Sequence, residues 1–363
     1  MTEPTVISAW SAVSAFGVGA RAFADGLRDA RSAVTALDRE RWNVPVERAG
    51  VVPVADAREL LGPSGTRTMD RATALAVSAV GSLIGEETGT TGREAGTGVV
   101  LGTSAGSVAD FMGFARDALT RDRPYRVNPG RFPNTVMNCA AGQVAIRHGL
   151  RGPNATVAGG RAAGLLALNY ARRLQRSGRA RRIVCGGVEE FSTERAWLAW
   201  HSRPAGQEAV APLGEGCAVL MLDAGRSAGG NALAEVLAVE TGLAPREEDA
   251  AEALARCLRR ALRQSGTDAA NVWAVAAGDE PGARGDQEEV ALRAVLGDRD
   301  VARVSCAPLV GDTCAASTTF QITALLEAAE EDPDARGRVA LVTTLDADGL
   351  VGCALLRVAP GDR

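Results

Sequence analysis

One stretch of this chain occurs twice, which restricts it to folds with an internal duplication. Gly216-Cys217-Ala218-Val219-Leu220-Met221-Leu222 returns as Gly352-Cys353-Ala354-Leu355-Leu356-Arg357-Val358. Upstream of each copy comes a helical stretch, then an Arg-containing turn, then an apolar strand. In the first half these are residues 165–174, 177–182 and 183–188; in the second they are 322–329, 334–338 and 339–345. Two apolar strands match by chance often enough. Elements matching in the same order read as a duplicated α/β unit.

The remainder alternates in the same way. Residues 5–13 form an apolar strand, followed by Phe16-Gly17-Val18-Gly19 and a helix over 20–31. The short strand 97–101 runs into Gly102-Thr103-Ser104-Ala105-Gly106 and a second helix. A strongly helical stretch, 162–175, precedes the strand 182–188. This interleaving indicates a layered α/β fold. Segments 122–133 and 202–213 carry Pro and Gly and read as loops. The Gly-, Ser- and Ala-rich segment 225–232 separates halves 1–224 and 233–363 of one compact unit.

Composition removes several function classes. The 40 basic residues against 44 acidic ones give a net charge of −4, which favours neither nucleic acid nor an anionic membrane. Every basic residue is Arg, so Schiff-base and phosphate-binding lysines are excluded. His148 and His201 are the only histidines, so no metal centre is expected. The seven cysteines are odd in number and widely spaced, with no CxxC. They read as free thiols in a reducing cytosol. No apolar run is long enough to span a membrane, and Met1-Thr2-Glu3-Pro4 lacks the basic segment of a signal peptide, so a cytoplasmic location is expected.

Two local motifs compete for a catalytic role. Gly102-Thr103-Ser104-Ala105-Gly106 fits the GxSxG elbow of hydrolases, but neither histidine follows a clear strand-end acid. The simpler reading is a tight strand-to-helix turn. Cys314 stands at a predicted helix start, where a thiol is activated. Asp312 opposes that by raising the thiol pKa, so Cys314 reads as structural.

Residues 134–190 carry the decisive pattern: Ala140-Ala141-Gly142-Gln143, Ile146-Arg147, Gly149-Leu150-Arg151-Gly152-Pro153 and Gly186-Gly187-Val188-Glu189. In this order they resemble the β-ketoacyl synthases of fatty-acid and polyketide assembly, members of the thiolase superfamily. The opening segment 5–34, Gly214-Glu215-Gly216 and the stretch 285–295 are similar as well, so the resemblance covers essentially the whole chain. It implies the duplicated, five-layered αβαβα thiolase fold.

The departures from the family pattern concern chemistry. The family nucleophile is a Cys that follows a Thr-Val pair. Here Thr156-Val157-Ala158-Gly159-Gly160 leads to Arg161, whose guanidinium stays protonated and cannot attack. Gly278 stands where the first family His opens its HGTGT motif. Asp312 replaces the second His, Ala307 replaces the motif Lys, and Asp346-Ala347-Asp348-Gly349 replaces the C-terminal GFGG turn. Condensation needs a thiolate to carry the acyl chain and imidazoles to support decarboxylation and the developing enolate. No catalytic residues are therefore expected. Arg161 is expected to pair with Asp312 and plug the former active site.

Such an emptied ketosynthase resembles the chain-length factors of type II polyketide synthases, although that family usually has Gln where Arg161 stands. The resemblance implies a heterodimer with an active ketosynthase subunit, joined across residues Ala155, Thr156, Val157, Ala158 and Gly159. It implies an acyl carrier protein met mainly through that partner, with the substrate on its phosphopantetheine and no cofactor of its own. It places Ala109, Phe111, Met112 and Phe114 on a helix reaching the partner's tunnel. Ala109 and Met112 are expected on one wall, with Phe111 and Phe114 turned to the core or far wall and Phe132 closing the end. The shortened 202–213 loop fits a reducing, polyene-forming system. The alternatives are a decarboxylating priming homologue, which typically keeps both histidines, and a non-catalytic thiolase-fold scaffold protein.

Overall fold

The computed structural model describes residues 3–54, 56–86, 96–203, 210–225 and 232–360. The first half contains β1 (Thr5–Ser14), β2 (Gly17–Val18), α1 (Ala20–Arg28), β3 (Thr35–Ala36), β4 (Arg48–Gly50), α2 (Ala57–Leu61), α3 (Arg71–Glu86), β5 (Gly98–Thr103) and α4 (Val108–Thr120). It continues with α5 (Cys139–His148), β6 (Asn154–Ala158), α6 (Ala163–Arg176), β7 (Arg182–Glu189), α7 (Thr193–Ser202), β8 (Leu213–Gly214) and β9 (Gly216–Ala224). The second contains β10 (Ala234–Leu243), α8 (Ala250–Ser265), β11 (Val272–Ala276), α9 (Ala283–Leu296), β12 (Ala302–Arg303), α10 (Ala307–Val310), α11 (Ser317–Glu331), β13 (Val339–Leu345) and β14 (Leu350–Val358).

The duplication is visible in the strand order. The first half is ordered β6-β5-β7-β9-β1 and the second β12-β11-β13-β14-β10, the same permutation of five successive strands. Strand directions repeat too. β5 runs parallel to β6 and β7, as β11 does to β12 and β13, and the remaining pairs among these five strands of each half are antiparallel. β9 and β14, the strands carrying the repeated Gly-Cys-Ala, occupy equivalent places. A short antiparallel contact between β1 and β10 joins the two sheets. Most of segment 225–232 lies outside the described residues, as does the middle of 202–213.

Five layers follow from where each apolar face is buried. β5, β7 and β9 are buried at almost every position, as strands covered on both faces must be. α3 and α5 cover the outer face of the first sheet, and α8 and α9 the outer face of the second. α6 and α11 lie between the sheets in the central core, with Leu165, Leu168, Ile322 and Leu325. Each such side chain stabilises the fold by ~1.5–3 kcal/mol. Close approach is required where the second half's helical turn crosses β7: a methyl at Gly187 would overlap the Ala315 carbonyl. This is the expected αβαβα arrangement.

Several boundaries differ from expectation. α1 ends at Arg28, and Ala30 beyond it takes a left-handed φ of 46°. β5 continues through Gly102 and Thr103, so the turn before α4 begins at Ser104. A 3-10 turn, Pro129–Thr135, occupies the end of the expected 122–133 loop. Among the described residues, no helix is long and apolar enough to cross a membrane.

Candidate functional site

Arg161 sits on a 3-10 turn, Gly160–Ala162, that joins edge strand β6 to central helix α6. A cation here opposes the helix dipole, whose positive end lies at the N-terminus. Carboxylates from the second half offset it. The Arg161 Nη2 lies 2.6 Å from Asp312 Oδ2, and its Nε pairs with Glu280 Oε1. The backbone N–H of Arg161 donates to Asp346 Oδ2 at 2.7 Å. Gly160 is required beside it, because its φ is 49° and a methyl there would overlap the Asp346 carboxylate.

The ion cluster extends in both directions. The other Glu280 oxygen pairs with Arg284. Asp312 Oδ1 accepts the Cys314 N–H at 2.8 Å, and its backbone carbonyl accepts from Arg195 Nη2 at 2.9 Å. Arg195 is buried and also donates to the carbonyls of Glu190 and Gly214. Burial pushes the Asp312 carboxyl up, but the Arg161 and Arg195 charges and the Cys314 N–H outweigh that and hold it below the usual range. Only 12% of the Arg161 side chain is exposed, so this pair fills the interior. A cavity of about 310 Å³ remains outside it, lined by Arg48, Arg161, Gly278, Glu280 and Asp312 among others.

The expected Arg161–Asp312 ion pair forms, with two further acidic partners, Glu280 and Asp346. Both lie in segments already marked as departures, the stretch after Gly278 and the former GFGG turn. Gly278 itself donates its N–H to Glu288 Oε2 at 2.9 Å. Glu288 is 4% exposed, and burial pushes its carboxyl up to about 7.

The competing nucleophiles are disposed of by geometry. Ser104 Oγ donates to the buried Glu189 at 2.8 Å. His148 Nε2 is 2.9 Å from the Val77 carbonyl, and His201 stacks on Trp197. Neither supplies Ser104 with a base. Burial, with Glu189 and Asp312 nearby, drives the Cys314 thiol well above its ordinary value, so no thiolate forms there. All seven cysteines are free; Cys139 and Cys314 are half-buried rather than buried.

The residues expected at a tunnel and an interface lie on β6, on α4 and on the 129–135 turn. β6 is the edge of the first sheet; Ala155, Thr156 and Val157 are half-buried and Ala158 is exposed. Gly159 follows in extended backbone, φ 176°. On α4, Ala109 is half-buried and Met112 is exposed. Phe111 is 54% exposed, so of the two expected placements it is not in the core. Phe114 packs against Phe132 with ring centroids 5.9 Å apart. Phe132 is 62% exposed on the 129–135 turn, so it closes no cavity within this chain. Helical spacing puts residues on a common face but does not say which face meets solvent.

Two outcomes follow for the site. Arg161→Ala removes the cation that Asp312 and Glu280 share, leaving, among the described residues, Glu280 only Arg284 and Asp312 no direct ion pair, and destabilises the fold by ~3 kcal/mol. Combining Arg161→Met with Asp312→Asn and Glu280→Gln restores most of that, as read by urea unfolding. A result in which Arg161→Ala costs nothing would mean that the cluster does not hold the halves together. Glu288 has the opposite sign of pH dependence from Asp312. Its folded pKa is raised, so its stabilisation is complete below the unfolded value and is lost as pH rises through about 7. Glu288→Gln removes that loss, which amounts to at most ~3 kcal/mol. Unfolding curves of the two proteins should diverge between pH 5 and 8 and run parallel above.

Residues 2–228 match the family model for the β-ketoacyl synthase N-terminal domain. The chain is 32% identical over 203 residues to the 3-oxoacyl-(acyl-carrier-protein) synthase 2 of Rhizobium meliloti, covering 48% of this chain and 47% of that protein. The match thus spans about half the length of this curated relative. A solved structure, the ishigamide ketosynthase/chain length factor, is 44% identical, with TM-score 0.92 over 98% of this chain and 99% of that one. A type II PKS acyl-carrier protein in complex with its ketosynthase superposes with TM-score 0.81 over 99% of this chain and 100% of that one; at 19% identity this likeness concerns the fold alone. The family model covers well over half the residues, and the chain belongs to the β-ketoacyl synthase family.

Proposed function

We propose that this chain is a chain-length factor: a ketosynthase-like subunit without condensing activity that pairs with an active ketosynthase and limits the length of the polyketide or polyene chain. The observation that carries this reading is the ion cluster at the nucleophile position. A ketosynthase scaffold holds Arg161 where the thiol belongs, and carboxylates occupy the surroundings where imidazoles would stabilise an enolate. Carboxylates repel that developing charge instead. The same absence of imidazoles disfavours a decarboxylating priming role, since Gly278 and Asp312 cannot polarise the malonyl thioester.

The surface supports the pairing. An edge strand leaves a row of backbone groups for another chain to use. On α4, the 129–137 segment and α5, the side chains of Phe111, Phe132, Val136, Met137 and Ile146 are exposed. In the proposed complex the partner supplies the acyl-carrying thiol and the imidazoles. Helix α4 of this chain supplies the far wall, and carrier protein delivers the substrate on its phosphopantetheine through the partner. The similarity to the ishigamide ketosynthase/chain length factor supports both parts of the reading.

Three outcomes test it. The chain alone, incubated with acyl- and malonyl-carrier protein, should show no acyl adduct by intact-protein mass spectrometry, and Arg161→Cys should not restore condensation. A stoichiometric adduct would contradict the assignment. In gel filtration with its cognate ketosynthase the chain should form a 1:1 complex. Ala158→Asp, exposed in the free chain, should weaken that complex by about a hundredfold or more, since an unpaired charge buried at an interface costs ~3 kcal/mol or more. In the reconstituted synthase, Met112→Ala should lengthen the product and Met112→Trp should shorten it at unchanged partner affinity. A fixed distribution with Met112→Trp removes that residue from the wall.

A further inference from the structure

The first turn of α4 is held by a buried carboxyl that neither condensation nor the plug uses. Glu190, immediately after β7, is 1% exposed. Its Oε1 accepts the Ala109 backbone N–H at 3.0 Å, and its Oε2 accepts the Ser107 hydroxyl at 3.1 Å. Ser107 Oγ caps the helix by accepting the Asp110 N–H at 3.3 Å. The unpaired N–H groups that open any helix are thus met partly by a side chain from another element, which ties the position of α4 to the sheet.

The same turn is tied to the segment bearing Phe132. Asp110 Oδ2 accepts from Asn134 Nδ2 at 2.6 Å, and its Oδ1 lies 3.4 Å from Arg131 Nε. Asn134 is 5% exposed and also donates to the Thr68 carbonyl at 2.7 Å. Arg131 lies over Gly113, where a side chain would overlap its guanidinium. A continuous polar path therefore runs from β7 through the start of α4 to the 129–135 turn, and Phe114 and Phe132 close it by packing together.

We infer that Glu190 is a positioning residue for product length: through Ser107 and Ala109, and onward through Asp110 and Asn134, it sets how far Met112 and Phe132 project toward the partner. This rests on the chain-length reading above. Small displacements matter because an enzyme pocket resolves single methylenes, by about tenfold or more each. Burial pushes the Glu190 carboxyl up to about 8, so at neutral pH it is mostly uncharged and Gln is a close mimic. Gln keeps an acceptor for the Ala109 N–H and, like the protonated carboxyl, turns a donor toward Ser107 Oγ, where the ionised form accepts; Ala keeps neither.

The test uses the complex with the cognate ketosynthase, carrier protein and malonyl units, and reads the product-length distribution together with partner affinity and total turnover. Glu190→Ala should raise the ratio of products one extension unit longer or shorter to the main product by about tenfold. Glu190→Gln should leave it as in the native complex. Ser107→Ala, a milder loss of the same anchor, should move it in the same direction as Glu190→Ala and serves where the latter does not fold. A fall in turnover with an unchanged distribution assigns Glu190 a merely structural role and overturns the inference, as does a Glu190→Gln shift equal to that of Ala. Met112→Trp, run in parallel, separates the two readings. If it shifts length and the Glu190 and Ser107 variants do not, only the positioning role falls; if none shifts length, the wall itself falls with it.

Discussion

A guanidinium held at the wrong end of a helix dipole is the constraint around which the centre of this molecule is arranged. Arg161 opens α6, the helix packed between the two sheets, where a positive charge is least welcome. It is tolerable there because Glu280, Asp312 and Asp346 converge on it from three separate segments of the second half. Their negative charges suit the helix N-terminus and the cation at once. The cost of burying so many charges is met only when all are present. The cluster therefore fastens one half to the other.

Duplication made the two halves topologically equal, yet their sheet edges differ in a way that bears on function. The second sheet ends in β12, only Ala302–Arg303, where Arg303 forms an ion pair with Glu289. Short, charged edges resist association. The first sheet ends in β6, five residues long and without a charged side chain, and the nearby surface carries exposed Phe, Met, Val and Ile. One edge is closed against neighbours and the other is suited to one. The buried carboxyl of Glu190 meets the first turn of α4, so that helix is anchored to the end of β7.

Much of this was legible from residues alone, and the reasons are local. Repeated Gly-Cys-Ala strands and their upstream helices announced a duplicated α/β unit, since strands and helices are written in periods of a few residues. Arg161, Gly278 and Asp312 were identified because each stands inside a recognisable motif. Glu280 and Asp346 were not identified as ion partners, although their segments were noted, because nothing in either segment states what it faces. Phe111 shows the same limit. Its spacing from Phe114 is helical, but solvent on one side and sheet on the other are set by the docking of α4, and it stands exposed.

By itself, then, the sequence determined a duplicated α/β scaffold and which residues stand at the motif positions, Arg161, Gly278 and Asp312 among them, because those are matters of periodicity and of which side chain stands in a motif. Tertiary structure alone decided which carboxylates neutralise Arg161, which face of α4 meets solvent, and that Glu190, at the end of β7, meets the first turn of α4. Ion pairs and caps between distant segments depend on separations of a few ångströms. Those separations come from how sheets and helices pack, and no spacing along the chain encodes them.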